Sequence, residues 1–349
     1  MGYAKAFSIR HSPTPLVIVA LGAALASCAP KAPIEHTRTD FVLGTVCTIR
    51  LVQGGDDKLL DSAFARLRQI EDELTVNKSG SEIDAVNAAA GEHAVKVGAD
   101  ALAILKKDLG YSAMTDGAFD ASVGPLVKLW GIGTDHARLP AKSEIEAARK
   151  LVGWKDIVLD EAAGTVFLKR PGMALDLGSG TKGYATDQLV AMLRSAGVKS
   201  AIIDLGGNIF VMGSRPDGKP WRVGLQNPDS SERGDYIGVA DLSNKTMVTS
   251  GVYERFFIQD GKRYHHILDP ATGYPVDNGL TSVTIITGKS FDADGFTTAL
   301  FAVGRERGMQ LAEKAGVDVI MVDDKHHVYM SPGVSKYFQL TDPAFTYAE

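Results

Sequence analysis

Two cysteines, Cys28 and Cys47, stand in a chain of 349 residues. A disulfide framework is therefore absent, and stability has to come from a hydrophobic core. No charge of one sign dominates: 37 Lys and Arg face 42 Asp and Glu, a net charge of −5. The two signs are evenly mixed, so nothing resembles a nucleic-acid footprint and no nucleic-acid partner is expected. Internal repeats and low-complexity tracts are missing too. The single long apolar run, residues 16–26 (LVIVALGAALA), is too short to span a bilayer comfortably.

That run has instead the flanks of an export signal. Lys5 and Arg10 precede it, and Leu25-Ala26-Ser27-Cys28 has the form of a lipobox. Residues 1–27 are expected to be a lipoprotein-type signal peptide, with Cys28 the lipid-bearing first residue of the mature chain. The competing reading is an ordinary secreted protein with an incidental cysteine. Cleavage would remove Lys5 and Arg10 and no acidic residue, leaving 35 basic against 42 acidic side chains, net −7. Residues 28–40 are polar with two prolines and read as a tether. Residues 41–349 suffice for one large domain.

Within that body, apolar residues at helical spacing (Leu60, Phe64, Leu67, Ile70, Leu74) predict an amphipathic helix over 59–74. A strand over 41–52 precedes it. Helices over 100–115 and 143–152 follow, the second begun by a capping box of Ser143 and Glu146. From about residue 155 strands with glycine punctuation take over: 157–159, 165–169, 174–177, 201–205, 209–212, 221–225, 237–241, 247–252, 256–258, 281–286 and 318–322. A helix over 184–196 interrupts them, and helices over 293–303 and 306–315 precede the last. Elements in runs, rather than in strict βαβ order, predict an α+β fold.

One segment invites a nucleotide. Asp176-Leu177-Gly178-Ser179-Gly180-Thr181-Lys182-Gly183 spells G-x-G-x-x-G, and Asp204 ends the next strand about twenty residues on. That is the dinucleotide fingerprint, with an acid where a ribose hydroxyl would be held. Three features oppose a nicotinamide enzyme. The motif lies in mid-chain, Asp204 runs straight into Gly206-Gly207-Asn208, and an exported protein has little access to soluble nicotinamide. A purely structural turn stays open as the alternative. What remains is a backbone-lined, anion-tolerant loop with Lys182 available to a phosphate.

Two further constellations carry chemistry. Asp294 and Thr298, four apart on a helix, share a face and offer hard oxygens suited to Mg²⁺; the alternative is that Asp292 or Asp294 caps the helix. Tyr264-His265-His266-Ile267-Leu268-Asp269-Pro270-Ala271-Thr272-Gly273 is a strand entering a turn, with Asp269 set for an Asx turn and Gly273 for a positive φ. Adjacent histidines on a strand face opposite ways, so at most one serves a given pocket. A neutral imidazole there could deprotonate a hydroxyl, or simply be a satisfied structural group.

Taken in order, these segments resemble the ApbE family of FAD:protein FMN transferases. The resemblance runs through Leu43-Gly44-Thr45, Gly117-Ala118-Phe119-Asp120, Ser122-Val123-Gly124-Pro125-Leu126-Val127 and Leu129-Trp130-Gly131. It continues through Asp176-Leu177-Gly178, Lys182-Gly183-Tyr184-Ala185 with Asp187, and Asp204-Leu205-Gly206-Gly207-Asn208. Tyr253-Glu254-Arg255, His266-Ile267-Leu268-Asp269-Pro270, Thr272-Gly273 and Asp294 with Thr298-Ala299-Leu300 complete it, over nearly all of residues 41–325.

The resemblance implies an ApbE-like (T-fold-like) single domain with mixed and antiparallel sheets flanked by helices. It implies an enzyme that binds FAD, cleaves its pyrophosphate with Mg²⁺ and passes FMN to a Thr or Ser hydroxyl of a membrane redox subunit. Asp294, Thr298, the Ala185 carbonyl and Thr297 would hold the metal. Leu43, Thr75, Val76, Asn77, Ser122, Val123, Gly124, Lys182, Gln188 and the backbone at Leu268 would line the FAD. His266 would activate the acceptor hydroxyl. The place implied is the bacterial cell envelope, lipid-anchored to the membrane on its periplasmic or outer side. Two alternatives stay open: an FAD pyrophosphatase releasing FMN and AMP, and a non-catalytic flavin-binding lipoprotein. Against the family pattern, Val76 and Asn77 stand where an aromatic is common, and Gly180-Thr181 replaces a small apolar pair.

Overall fold

The computed structural model describes residues 34–348 apart from 77, 231 and 233. The expected signal peptide, the Cys28 lipid site and Asn77 lie outside the described residues. The described chain enters on a hairpin, β1 (His36–Val42) and β2 (Thr45–Gln53), followed by α1 (Asp57–Leu74), α2 (Glu82–Ala88), β3 (Val95–Lys96) and α3 (Ala99–Met114). Next come α4 (Gly124–Trp130), α5 (Lys142–Arg149), β4 (Ile157–Asp160), β5 (Thr165–Leu168) and α6 (Gly178–Ser195). A run of strands follows: β6 (Ser200–Leu205), β7 (Asn208–Met212), β8 (Trp221–Gln226), β9 (Tyr236–Leu242), β10 (Lys245–Gly251), β11 (Phe256–Gln259), β12 (Lys262–His265) and β13 (Leu280–Thr287). Helices α7 (Asp294–Val303) and α8 (Arg305–Ala315) precede β14 (Asp318–Asp323), β15 (His327–Met330), β16 (Phe338–Leu340) and β17 (Thr346–Tyr347).

Nine strands form the central sheet in the order β1-β2-β6-β7-β10-β13-β14-β15-β17, antiparallel throughout except for the parallel β15–β17 pair. Side-chain alternation sorts its residues into two layers. Ala201, Ile203, Leu205, Phe210 and Met212 join the core beneath α1, α3 and α6. Val283, Ile285, Val319 and Met321 join a second cluster with α7 and α8. Their neighbours Ile202, Ile209, Val211, Ile286, Ile320 and Val322 point the other way, against the three-stranded sheet β16-β9-β8. Strands buried on both faces have no polar face to show, which is why they read as apolar runs in the sequence. The described residues form one compact unit of α+β type.

The sequence and the structure part at several boundaries. Residues 36–40, expected in the tether, already pair with β2. The strand expected at 174–177 is absent; only Ala174 makes an isolated parallel bridge, to Val123. Helix α5 starts at Lys142, not Ser143, because Glu144 takes the Ala141 N–H at 2.8 Å while Arg138 holds its carboxylate at 2.7 and 2.8 Å. Helices α2 and α4 lie outside the elements expected from the sequence. The helix expected at 184–196 begins six residues earlier, at Gly178, and this last shift changes the reading of the site.

Candidate active site

Asp294 opens α7 without capping it, since no side-chain cap bond exists there. Its Oδ2 accepts the Gly183 N–H of α6 at 2.7 Å, and its Oδ1 lies 3.7 Å from the Lys182 ammonium. Gly183 permits the approach: a Cβ there would stand 2.5 Å from the Ser290 carbonyl oxygen and 2.6 Å from Asp294 Cβ. Gly180 is used in the same way, with Asp108 Oδ1 3.1 Å and Ile104 Cγ2 3.4 Å from its would-be Cβ. The G-x-G-x-x-G run is therefore the first turns of α6, not a phosphate loop, and its glycines serve close packing. Asp204, the supposed ribose acid, instead accepts the Gly207 N–H at 2.8 Å and shapes the β6–β7 turn.

The segment entering α7 is fixed from α6 as well. Asp187 accepts the Ser290 N–H at 2.8 Å and the Phe291 N–H at 3.2 Å, which sets the 3-10 turn Ser290–Asp292 just ahead of Asp294. One turn into α7, Thr298 is half-buried while Thr297 is fully buried. The Thr297 hydroxyl is committed to the Asp294 carbonyl at 2.7 Å and to Ser250 Oγ of β10 at 2.8 Å; Thr298 shares the same serine at 3.1 Å. Of the two threonines, Thr298 thus has the freer hydroxyl. Ala185 is buried on α6, two residues beyond Gly183.

Charge explains how this corner is poised. Burial pushes the Asp294 carboxyl above its ordinary value, and Lys182 and the Gly183 N–H work against that push. Asp176, whose Oδ1 accepts the Gly178 N–H at 2.8 Å, is raised by burial and eased by that N–H, Arg255 and Lys182. Asp108 of α3 is fully buried and neither of its oxygens has a hydrogen-bond partner among the described residues. Its carboxyl is held well above the usual range by burial, then by Asp294 and Asp176.

The histidines divide as their alternation requires. His265 is satisfied on both nitrogens: Nε2 donates to the Val276 carbonyl at 2.9 Å, and Nδ1 accepts the Ile267 N–H at 3.3 Å. His266 presents its Nδ1 to the Arg255 carbonyl at 3.3 Å. A carbonyl can only accept, so the proton sits on Nδ1 and the Nε2 lone pair is left free. Burial first, then Arg255 and His265, lower the His266 pKa to about 3, which keeps the ring neutral. The turn behind it forms as expected, with the Ala271 N–H on Asp269 Oδ1 at 2.8 Å and Gly273 at φ +78°. Trp130 Nε1 donates to the Gly273 carbonyl at 2.8 Å and ties that turn to α4.

The other expected lining residues fall into place unevenly. Leu43, at φ +56°, forms the β1–β2 turn with Gly44, and Gly44 faces Arg255. The Ser122 hydroxyl is spent on Asp120 at 2.7 Å and on the Gly153 N–H at 2.7 Å, so only backbone there remains for a ligand. Val123 and Gly124 run beside Ala174, just ahead of Asp176. Gln188 is half-buried on α6, and Leu268 is buried against α4 and α5. Thr75 ends α1 and its carbonyl accepts from Ser81, while Val76 beyond it is 37% exposed. Ser250, Arg255 and Asp108 are absent from the expected site; Arg255 stands in the Tyr253-Glu254-Arg255 segment of the family pattern without a role attached to it there, and Ser250 and Asp108 carry no local sequence signal.

A sequence profile of the ApbE family matches residues 43–321. The chain belongs to the ApbE family. An FAD:protein FMN transferase of Klebsiella pneumoniae is 40% identical over 277 residues, 79% of this chain and 85% of that one. One of Treponema pallidum is 34% identical over 348 residues, 94% and 96% of the two chains. In three dimensions this ApbE chain matches the flavin transferase ApbE of Vibrio cholerae with a TM-score of 0.78 at 28% identity, over 87% of this chain and 99% of that one. The ApbE protein of Thermotoga maritima gives 0.79 at 29%, with the same coverage. The ApbE-like fold expected from the motifs is the fold found.

Proposed function

We propose that this chain is a Mg²⁺-dependent FAD:protein FMN transferase, which attaches FMN through a phosphoester to a Thr or Ser hydroxyl of an acceptor protein. The observation that carries the reading is the combination of a carboxylate already facing a cation, Asp294, with a neutral imidazole, His266, whose Nε2 is unengaged. Lys182 links the two electrostatically, acting on both Asp294 and His266.

The donors suit a hard divalent cation. The Lys182 ammonium, 3.7 Å from Asp294 Oδ1, marks a place where positive charge is stable. Asp294, the Thr298 hydroxyl and the Ala185 carbonyl would be the protein's share of the shell. Among the described residues no group of three or more His, Cys, Asp or Glu converges on a metal, so waters and substrate phosphates would supply the rest, as is usual for Mg²⁺. When bound, the metal neutralises the diphosphate and eases the departure of AMP.

The chain's own residues position and deprotonate. His266 Nε2 takes the acceptor's hydroxyl proton as its oxygen attacks the phosphorus on the FMN side. The bond from that phosphorus to the AMP oxygen breaks in line, and AMP leaves. Incubation with FAD, Mg²⁺ and a Thr-bearing acceptor peptide should yield a fluorescent peptide heavier by FMN less one water, with one AMP per transfer. Free FMN and AMP alone would establish a pyrophosphatase instead; unchanged FAD would establish a binding protein.

The lipobox form of Leu25-Ala26-Ser27-Cys28 supports an enzyme held at the membrane of the bacterial envelope, on its periplasmic or outer side. Acceptors there would be membrane redox subunits.

A further inference from the structure

Arg255 belongs to the Tyr253-Glu254-Arg255 segment, to which neither the metal corner nor the proton transfer assigns a task. It lies in the turn between β10 and β11, and its side chain is exposed. Among the described arginines it alone has no hydrogen bond, ion pair or ring contact through its guanidinium; Arg66, for example, is paired to Asp100 at 2.5 Å and Arg138 to Glu144 at 2.7 Å. The position is nonetheless built. Its stem passes Gly133, where a Cβ would stand 3.0 Å from Arg255 Cδ, and its Nη2 lies 4.0 Å from a Cβ placed on Gly44. Its carbonyl accepts both the N–H of His266 at 3.1 Å and Nδ1 at 3.3 Å. One residue therefore orients the imidazole with its main chain and carries a planar cation whose charge is felt by both His266 and the Asp176 carboxyl, while the guanidinium itself holds no hydrogen bond or ion pair among the described residues.

A guanidinium without a hydrogen-bond or ion-pair partner, with Gly133 beside its stem and Gly44 beside its head, is suited to bidentate capture of a phosphate. We propose that Arg255 is a catalytic residue that grips the phosphate remaining with FMN. It holds that group on the His266 side while the acceptor oxygen forms its bond to phosphorus and the bond to AMP breaks. Arg255 transfers no proton; it matches the charge that grows on the phosphoryl oxygens. This inference rests on the transferase reading, and wild-type flavinylation of the peptide separates failure of one from failure of the other.

The test compares FMN with riboflavin, which differ only by the phosphate, as ligands of the full protein without metal, followed by flavin fluorescence. Arg255→Gln should weaken FMN at least tenfold and leave riboflavin unchanged. In the transfer assay it should lower kcat on the order of 10²–10³-fold, as loss of one charge-stabilising donor does, with Tm unaltered. Arg255→Lys, which keeps the charge and loses the fork, should fall between. Gly133→Ala, which crowds the stem, should reproduce the FMN-selective loss. If Arg255→Gln weakens FMN and riboflavin alike, or leaves FMN binding and kcat within threefold of wild type, Arg255 does not hold the phosphate.

Discussion

Replacing Asp108 by Asn should stabilise the protein at neutral pH, and by an amount that grows with pH. Asp108 is fully buried, both its oxygens lack partners among the described residues, and two further carboxylates, Asp294 and Asp176, lie near enough to repel its charge. Its carboxyl in the folded chain is held well above its ordinary value, whereas in the unfolded chain it titrates near 3.9. Between those two values the folded state keeps a proton that the unfolded state has released. Folding then takes up a proton, so stability falls as pH rises, by about 1.4 kcal/mol per pH unit for one group. Below the unfolded value the penalty vanishes, because both states are protonated. A carboxamide at this position cannot ionise, so the Asp108→Asn variant loses that slope. The amide is also nearly isosteric with the acid, which matters because Gly180 and Gly295 leave no room beside Asp108 for a larger side chain.

The assay is urea unfolding followed by tryptophan fluorescence in metal-free buffer at pH 4.5, 5.5 and 6.5, for wild type and Asp108→Asn. Asp176 and Asp294 add slopes of their own to both proteins, so the difference between the two curves isolates Asp108. That difference should widen in favour of the variant by about 1.4 kcal/mol from pH 4.5 to 5.5, at constant m. Parallel curves would show that Asp108 is ionised in the folded protein, and the account of an unpartnered, protonated acid would be wrong.

Gly183→Ala should force α6 and α7 apart, costing about 1–3 kcal/mol by overpacking and depressing metal-dependent AMP release; an unchanged Tm would contradict the close packing. Chelation with EDTA, or Asp294→Asn, should abolish AMP release from FAD. EDTA should leave Tm nearly unmoved, because Lys182 and the Gly183 N–H already attend the carboxylate without metal. His266→Ala should retain FAD binding and lose peptide flavinylation. In wild type the acid limb of kcat/KM should lie below the usual imidazole range, since His266 protonates only near pH 3; a limb at pH 6.5 would refute the environment assigned to it. Cys28→Ser should abolish labelled-palmitate incorporation and leave the precursor unprocessed; retained label would remove Cys28 as the lipid site.

How much of this is legible in the sequence depends on whether the signal is local. Strands such as β13 and β14 are readable because burial on two faces leaves an apolar run, and α1 because its stripe repeats every three or four residues. Helix α4 is hidden inside a motif, although Pro125 in its first turn and Gly131 at φ +58° after its end are ordinary start and stop signals. The beginning of α6 misleads for a stronger reason. Glycine is the poorest helix former but proline, so three glycines among residues 178–183 argue for a loop on any local scale. What overrides that preference is tertiary: Gly180 lies against Asp108 and Ile104, Gly183 against Ser290 and Asp294, and both partner segments are remote in sequence.

The same distinction separates the site residues. Asp294 with Thr298, and His266 ahead of Asp269-Pro270, announce themselves because a shared helix face and a turn are properties of neighbours. Asp108 announces nothing, and Arg255 announces only its place in the Tyr253-Glu254-Arg255 segment, because what sets both apart is the absence of a hydrogen-bond or ion-pair partner, and only three dimensions show that. The two absences mean different things. Asp108 is sealed, so its lack of a partner is a cost that protonation offsets. Arg255 is open to solvent, where an unpaired guanidinium costs little and stays available to an anion. A missing partner thus points to a ligand only where a ligand can arrive, and for that reason the phosphate is assigned to Arg255 and not to the buried corner between α3, α6 and α7.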